Sequence, residues 1–285
     1  MNKETNSDFK LLFSLLNQDL KINNKSIYFM HIPKCGGTTI DSIFLKLSLI
    51  LGSFKFKRFK YPNLKESNKF LLENIDDEIP TFISGHLDYN FTKNLKNIFK
   101  CTIVRNPLDR VLSHYKFHLF KLKKKPSEYS LVNYIEDEID NYRENLVTRH
   151  FSGMLKEKSK LKEHDKQKAL TNLKIFDQID IFENWDYFVS KLLSKYELPS
   201  VIYSKFQKHS YDFVFNPTQS DIELIRKFYE YDFEIYSEIL KFLPKKEKNI
   251  ETNYNKKICI VSPYLKNQNR LYELNELKKI FKIKN

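Results

Sequence analysis

The chain has 285 residues, 41% hydrophobic and 15% aromatic, a composition that builds a sizeable core and excludes intrinsic disorder. Five glycines exclude collagen-like and glycine-rich low-complexity classes. Forty-nine Lys and Arg against 36 Asp and Glu leave a net charge of +13, which favours a polyanionic partner (nucleic acid, a nucleotide, an anionic glycan or a membrane surface) without choosing among them.

The abundance of Lys, Asn, Ile and Phe beside few Gly also resembles the coding bias of an AT-rich genome, so part of the Lys excess carries no functional meaning. No stretch approaches 18 uncharged apolar residues, and Met1–Lys10 is polar with no signal-peptide core behind it. The expectation is a cytoplasmic protein of bacterial or viral origin without an integral membrane segment. Cys35, Cys101 and Cys259 are too widely spaced for a disulfide framework or a zinc site, which suits a reducing compartment.

In chain order, Ser26–His31 (SIYFMH) reads as a short strand running into a Pro/Gly loop, Ile32–Gly37. Thr38–Leu49 carries Ile40, Ile43, Phe44 and Leu47 at helical spacing. Lys55–Lys69 is basic and irregular and reads as a surface excursion. Thr81–Ser84 and Lys100–Val104 read as buried strands. Pro107 can open a helix whose apolar stripe, Val111, Leu112, Tyr115 and Leu119, runs to about Lys121. Helical patterns recur at Leu131–Ile139, Lys162–Leu173, Trp185–Leu193, Asp221–Phe228 and Phe233–Leu240, with a further strand possible in Phe176–Phe182. Strands alternating with helices predict an α/β fold with a mainly parallel central sheet flanked by helices. Residues 1–245 read as one domain. Residues 246–285 read as a charged linker and a C-terminal appendage docked on it, with Leu265–Asn285 helical.

Two loops carry the chemistry. In HIPKCGGTT (His31–Thr39) a strand passes through Lys34, Cys35, Gly36 and Gly37 into a helix opened by Thr38 and Thr39. Glycine allows close backbone approach, a helix N-terminus presents unpaired N–H groups, and Lys34 adds a positive charge, the elements of a phosphate-holding loop. The order GxxxxGK[ST] is absent, because the lysine precedes the glycines. The same residues also suit an ordinary strand–helix turn. In IVRNPLDRVLSHY (Ile103–Tyr115) a second strand ends at Arg105, and Ser113 falls about two turns into the following helix. A guanidinium and a hydroxyl can share one anion, although Arg105 equally suits a surface ion pair. Arg110 reads as structural.

Together these motifs resemble the sulfotransferases that use 3′-phosphoadenosine 5′-phosphosulfate (PAPS), and within them bacterial-type members of the carbohydrate branch that includes heparan sulfate and uronyl 2-O-sulfotransferases. The resemblance covers roughly Ile27 to Tyr236. It implies a P-loop-like α/β fold, PAPS as donor, PAP as product, no metal, and a hydroxyl-bearing acceptor, expected to be a saccharide. Lys34, Gly36, Gly37, Thr38 and Thr39 match the loop that grips the 5′-phosphosulfate; Arg105 and Ser113 match the 3′-phosphate site. Cys35 stands where relatives commonly carry a hydroxyl or another small residue, so only its backbone amide is expected to serve the nucleotide.

Transfer to an alcohol calls for a positioned base, and a cation at the leaving oxygen, where Lys34 is placed. Among seven histidines, His86 stands just past a buried strand in FISGHL, beyond a strand's carboxyl end, where α/β sheets bind ligands. The resemblance implies that Gly85-His86 is the family's base-bearing pair; a capping or core histidine is the alternative. His31 reads as packing, and His114 and His118 as helix-surface residues. NLVTRHFSG (Asn145–Gly153) resembles a family segment near acceptor and nucleotide, with Asn145 and Arg149 either touching substrate or acting as buried polar caps. FENW (Phe182–Trp185) and Tyr229–Tyr236 read as packing. Competing readings are a P-loop nucleotide kinase or NTPase, which the motif order and the lack of an evident magnesium-binding carboxylate disfavour, and a non-catalytic basic module for nucleic acid or anionic glycan, which would leave both loops unexplained.

Overall fold

The structure is a computed structural model and describes residues 26–51, 54–59, 79–195, 198, 200–203, 213–243 and 258–261. The central strand β1 (Ile27–Met30) is buried at every position. It is covered on both faces, which is why it reads as an unbroken apolar run without alternation. Helix α1 (Gly37–Leu51) leads to β2 (Lys55–Phe59), an edge strand whose Phe56 ring stacks at 5.9 Å on Phe82 of β3 (Thr81–Gly85). The expected surface excursion therefore begins with a strand, whose apolar signal lies in Phe56 and Phe59 among lysines; residues 60–69 lie outside the described residues.

After β3 come a short helix α2 (Tyr89–Thr92), capped by Asp88, and β4 (Phe99–Val104). Helix α3 (Pro107–Leu122) starts as the sequence predicts, with Pro107 in its first turn and the Asn106 side chain accepting the Leu108 N–H at 3.0 Å. Helices α4 (Leu131–Asp140), α5 (Leu146–Ser152) and α6 (Glu163–Asn172) precede β5 (Gln178–Ile181). A 3₁₀ turn (Phe182–Asn184) then enters α7 (Trp185–Lys195). Strand β6 (Ser200–Tyr203), helices α8 (Gln219–Phe228) and α9 (Glu230–Phe242), and strand β7 (Ile258–Val261) complete the described chain. β7 pairs in parallel with β6, so part of the stretch beyond residue 245 joins a strand from within the domain. The rest of residues 246–285, with the expected linker and the expected helix Leu265–Asn285, lies outside the described residues.

The main sheet is parallel throughout, in the order β2-β3-β1-β4-β5. Its α/β architecture is the one predicted. The α1 stripe Ile40, Ile43, Phe44 and Leu47 is buried, and Phe44 stacks on Phe82 at 3.9 Å. A second apolar cluster, including Val111, Tyr115, Tyr134, Ile225 and Tyr229, joins α3, α4, α8 and α9. Strand order reverses across β1, and such a switch point opens a crevice at the carboxyl ends of the strands. Met30 lies opposite Gly85, and Val104 opposite Ile181, so the loops after β1, β3, β4 and β5 share one rim. No helix among the described residues is long and apolar enough to cross a membrane.

Candidate active site

The loop after β1 is a tight turn. Cys35 N–H donates to Ile32 O at 3.3 Å, with Pro33 and Lys34 as the central residues and Lys34 held at φ 69°. That is the geometry of a type II turn, which usually places Gly where Lys34 sits, and such strain in a non-glycine residue concentrates at functional sites. Gly36 follows at φ 84°, and a Cβ there would lie 2.7 Å from Trp185 Nε1 and 2.8 Å from Phe182 Cε2. Thr39 N–H closes onto Gly36 O at 3.1 Å as α1 begins, and the first amides of the helix have no intrahelical acceptor.

Cys35 is fully buried, its thiol donates to Pro33 O at 3.7 Å, and its sulfur accepts the main-chain N–H of Arg105. Burial pushes the thiol up to about 12. The residue thus ties the two loops together, and its amide, expected to serve a ligand, closes the turn instead.

Lys34 and Arg105 converge. The Lys34 ammonium lies 4.4 Å from the centre of the Phe117 ring, and Arg105 stacks over Phe182 at 4.8 Å. Burial and then the nearby Arg105 lower the Lys34 pKa to about 8. Among the described residues neither cation pairs with a carboxylate, and the Arg105 Nε is buried without a hydrogen-bond partner. Two close cations and the opening amides of a helix, lacking a counter-charge, form a place for an anion. Ser113 lies half-buried on the same helix as Phe117, and its hydroxyl bonds to no described residue.

His86 and His31 meet across the rim. His86 Nδ1 donates to His31 O at 2.7 Å, and the two ring centres are 4.4 Å apart. A carbonyl only accepts, so Nδ1 holds the proton and Nε2 the lone pair. Burial, then the neighbouring His31, lower the His86 pKa to about 4. His31 donates from Nδ1 to buried Asp41 at 3.2 Å. Nearby, His150 is fully buried, donates from Nδ1 to Leu146 O at 2.8 Å, and has no partner for Nε2 among the described residues; burial takes its pKa down to about 3.

Asn145 and Arg149 are spent on the fold. Asn145 precedes α5 at φ 50°, donating to Phe228 O at 2.9 Å and accepting the Asp232 N–H at 3.1 Å. Arg149, fully buried, donates to Glu144 Oε1 at 2.6 Å, Glu144 O at 3.0 Å and Ser159 O at 3.1 Å. Both side chains are buried and bonded within the fold, as the polar-cap alternative for this segment describes. His114, read as a helix-surface residue, is half-buried, with Nδ1 at 2.6 Å from the Tyr134 hydroxyl and Glu138 3.8 Å away. Arg110 is fully buried at 3.7 Å from Asp232, the structural place expected of it.

Sequence reasoning missed Phe182 and Trp185, which close over Gly36 and Arg105, and Phe117, whose ring lies under both Lys34 and Lys121. A signal existed for Phe182, which directly follows a strand end just as His31, His86 and Arg105 do. A separate open cleft of about 450 Å³, lined by Leu170, Phe233, three glutamates (Glu230, Glu234 and Glu238) and two cations (Arg226 and Lys241), lies on α6, α8 and α9, away from this rim.

A parallel α/β sheet with two cations and a histidine at its switch point is the setting in which α/β enzymes bind their ligands. The sulfotransferase family model matches residues 21–237, and the chain belongs to that family: it is a PAPS-dependent sulfotransferase, moving a sulfuryl group from PAPS to an acceptor hydroxyl and releasing PAP. No curated protein matches the chain. Among the described residues no group of three or more His, Cys, Asp or Glu is placed to hold a metal ion.

Proposed function

We propose that the acceptor is a saccharide, as in the carbohydrate branch, that His86 is the general base, and that Lys34 offsets charge at the leaving oxygen. The observation that carries this reading is the 2.7 Å bond from His86 Nδ1 to His31 O, which leaves the Nε2 lone pair on a ring that burial keeps neutral at pH 7. A neutral imidazole can take the proton from an attacking hydroxyl. Lys34, with its pKa at about 8, is still mostly protonated at neutral pH and can stabilise charge on the departing phosphate oxygen.

In this reading the amides of Gly36, Gly37 and Thr38 and the hydroxyls of Thr38 and Thr39 hold the 5′ end of the donor, and Arg105 with Ser113 holds its 3′-phosphate. The unpartnered, buried Arg105 Nε fits that role. Cys35 serves the site by binding loop to loop. The net charge of +13 suits an acidic saccharide, and the free thiols of Cys35 and Cys101 suit the cytoplasm. Incubating the enzyme with radiolabelled PAPS and a panel of saccharides, lipid-linked sugars and small alcohols tests the proposal. Label is expected on a sugar hydroxyl and lost in His86→Ala. Label confined to non-sugar acceptors overturns the saccharide assignment, and full activity in His86→Ala overturns the base.

A further inference from the structure

The base does not stand alone on the rim. His31 holds it twice, through the main-chain oxygen that takes the His86 Nδ1–H at 2.7 Å and through a ring whose centre is 4.4 Å from that of His86. The His31 ring is itself wedged against the start of α1: a Cβ on Gly37 would fall 2.3 Å from His31 Cδ2 and 2.4 Å from Nε2. Its remaining side faces Asp41, one turn into α1, whose Oδ2 accepts the His31 Nδ1–H at 3.2 Å and lies 3.0 Å from Arg58 Nε on β2. Asp41 is 4% exposed, and its Oδ1 has no partner among the described residues. A buried carboxylate with an unsatisfied oxygen is costly, so its presence calls for a reason beyond packing.

We propose that Asp41 and His31 are positioning residues that fix the ring of His86 beside the anion corner, with Arg58 anchoring the carboxylate. The inference rests on His86 being the base. Each link in the chain Arg58–Asp41–His31–His86 joins a different element, β2, α1 and the ends of β1 and β3, so the base is set by the same helix that opens the phosphate loop. The charge of Asp41 reaches His86 offset by that of Arg58, so the pair acts on the base by placement, as a carboxylate does where it orients a catalytic imidazole. Here it acts through a second ring rather than by direct contact.

The test is kinetic. Asp41→Asn is expected to lower kcat on the order of 10²-fold, as misplacing a catalytic group does, while KM for PAPS and the affinity for PAP stay unchanged. In a His86→Ala background the same substitution is expected to cost nothing further. Arg58→Met, on the partly exposed edge strand, gives a smaller loss of the same kind and decides the matter should Asp41→Asn fail to fold. A loss that persists undiminished without His86, or one that appears in PAP affinity, overturns the positioning role. If His86→Ala alone keeps full kcat, the base assignment fails instead, and the two failures are told apart.

Discussion

The main-chain N–H of Arg105 donates to the sulfur of Cys35, joining the turn after β1 to the turn after β4 across the centre of the sheet. Parallel pairing of β1 with β4 sets these two loops side by side, and the thiol between them is completely buried. With its pKa raised to about 12, Cys35 carries almost no thiolate at pH 8. Alkylation at pH 8 followed by peptide mapping is therefore expected to leave Cys35 unmodified in the native protein and to label it only after denaturation. Labelling of the native protein would show that the two loops part.

Lys34 predicts a pH dependence of nucleotide binding. Its free-enzyme pKa is lowered to about 8, and a bound phosphate would raise it again. The complex then holds more protons than the free protein, so affinity falls as pH rises through 8. Calorimetric titration with PAP between pH 7 and 9.5 should show weakening binding and proton uptake. Lys34→Ala should bind PAP more weakly, with that pH dependence gone, and turn over more slowly.

His86→Ala is expected to lower kcat by about 10²–10⁴-fold, the usual range for a general base. Because the ring's pKa is held at about 4 rather than the ordinary 6.5, acidification from pH 8 to 5.5 leaves it neutral. Titration of the His86 ring by NMR should show no protonation across that interval. A midpoint near 6.5 would contradict the burial of the ring, which is the main cause of its lowered pKa.

Gly36 has no room for a side chain. At φ 84°, with Trp185 and Phe182 within 3 Å of a would-be Cβ, Gly36→Ala must displace an aromatic ring or the turn. A cost of about 1–3 kcal/mol, together with weaker PAP binding, is expected from the backbone strain alone. Urea unfolding and PAP titration of the variant measure both.

Asp232 predicts a purely structural loss. Its carboxylate accepts the Thr148 N–H at 2.8 Å and the Thr148 hydroxyl at 2.9 Å and faces the fully buried Arg110. Removing it strands a buried guanidinium, which typically costs about 3–5 kcal/mol. Asp232→Ala should unfold at markedly lower urea, and a shift under 1 kcal/mol would mean that Arg110 has another partner.

What the sequence determined by itself was local and contiguous. The strands β1, β3 and β4, the helices α1, α3 and α4, the Pro/Gly loop Ile32–Gly37, the Asn106-Pro107 helix start and the Gly85-His86 strand end are each written within a few neighbouring residues. Apolar runs, capping groups and fixed φ angles act over that range. The sheet order, the pairing of β6 with β7, the closure of Phe182 and Trp185 over Gly36, and the burial of Arg149 beside Glu144 were decided only in three dimensions. Arg149 shows why: a basic residue beside a motif reads the same whether it faces a ligand or a buried carboxylate. Its acceptors, Glu144 and Ser159, lie in the segments that flank α5, and only the packing of α5 against α6 and α9 buries the guanidinium among them. Residues far apart in the chain acquire partners through tertiary burial, and no local pattern records which partner that will be.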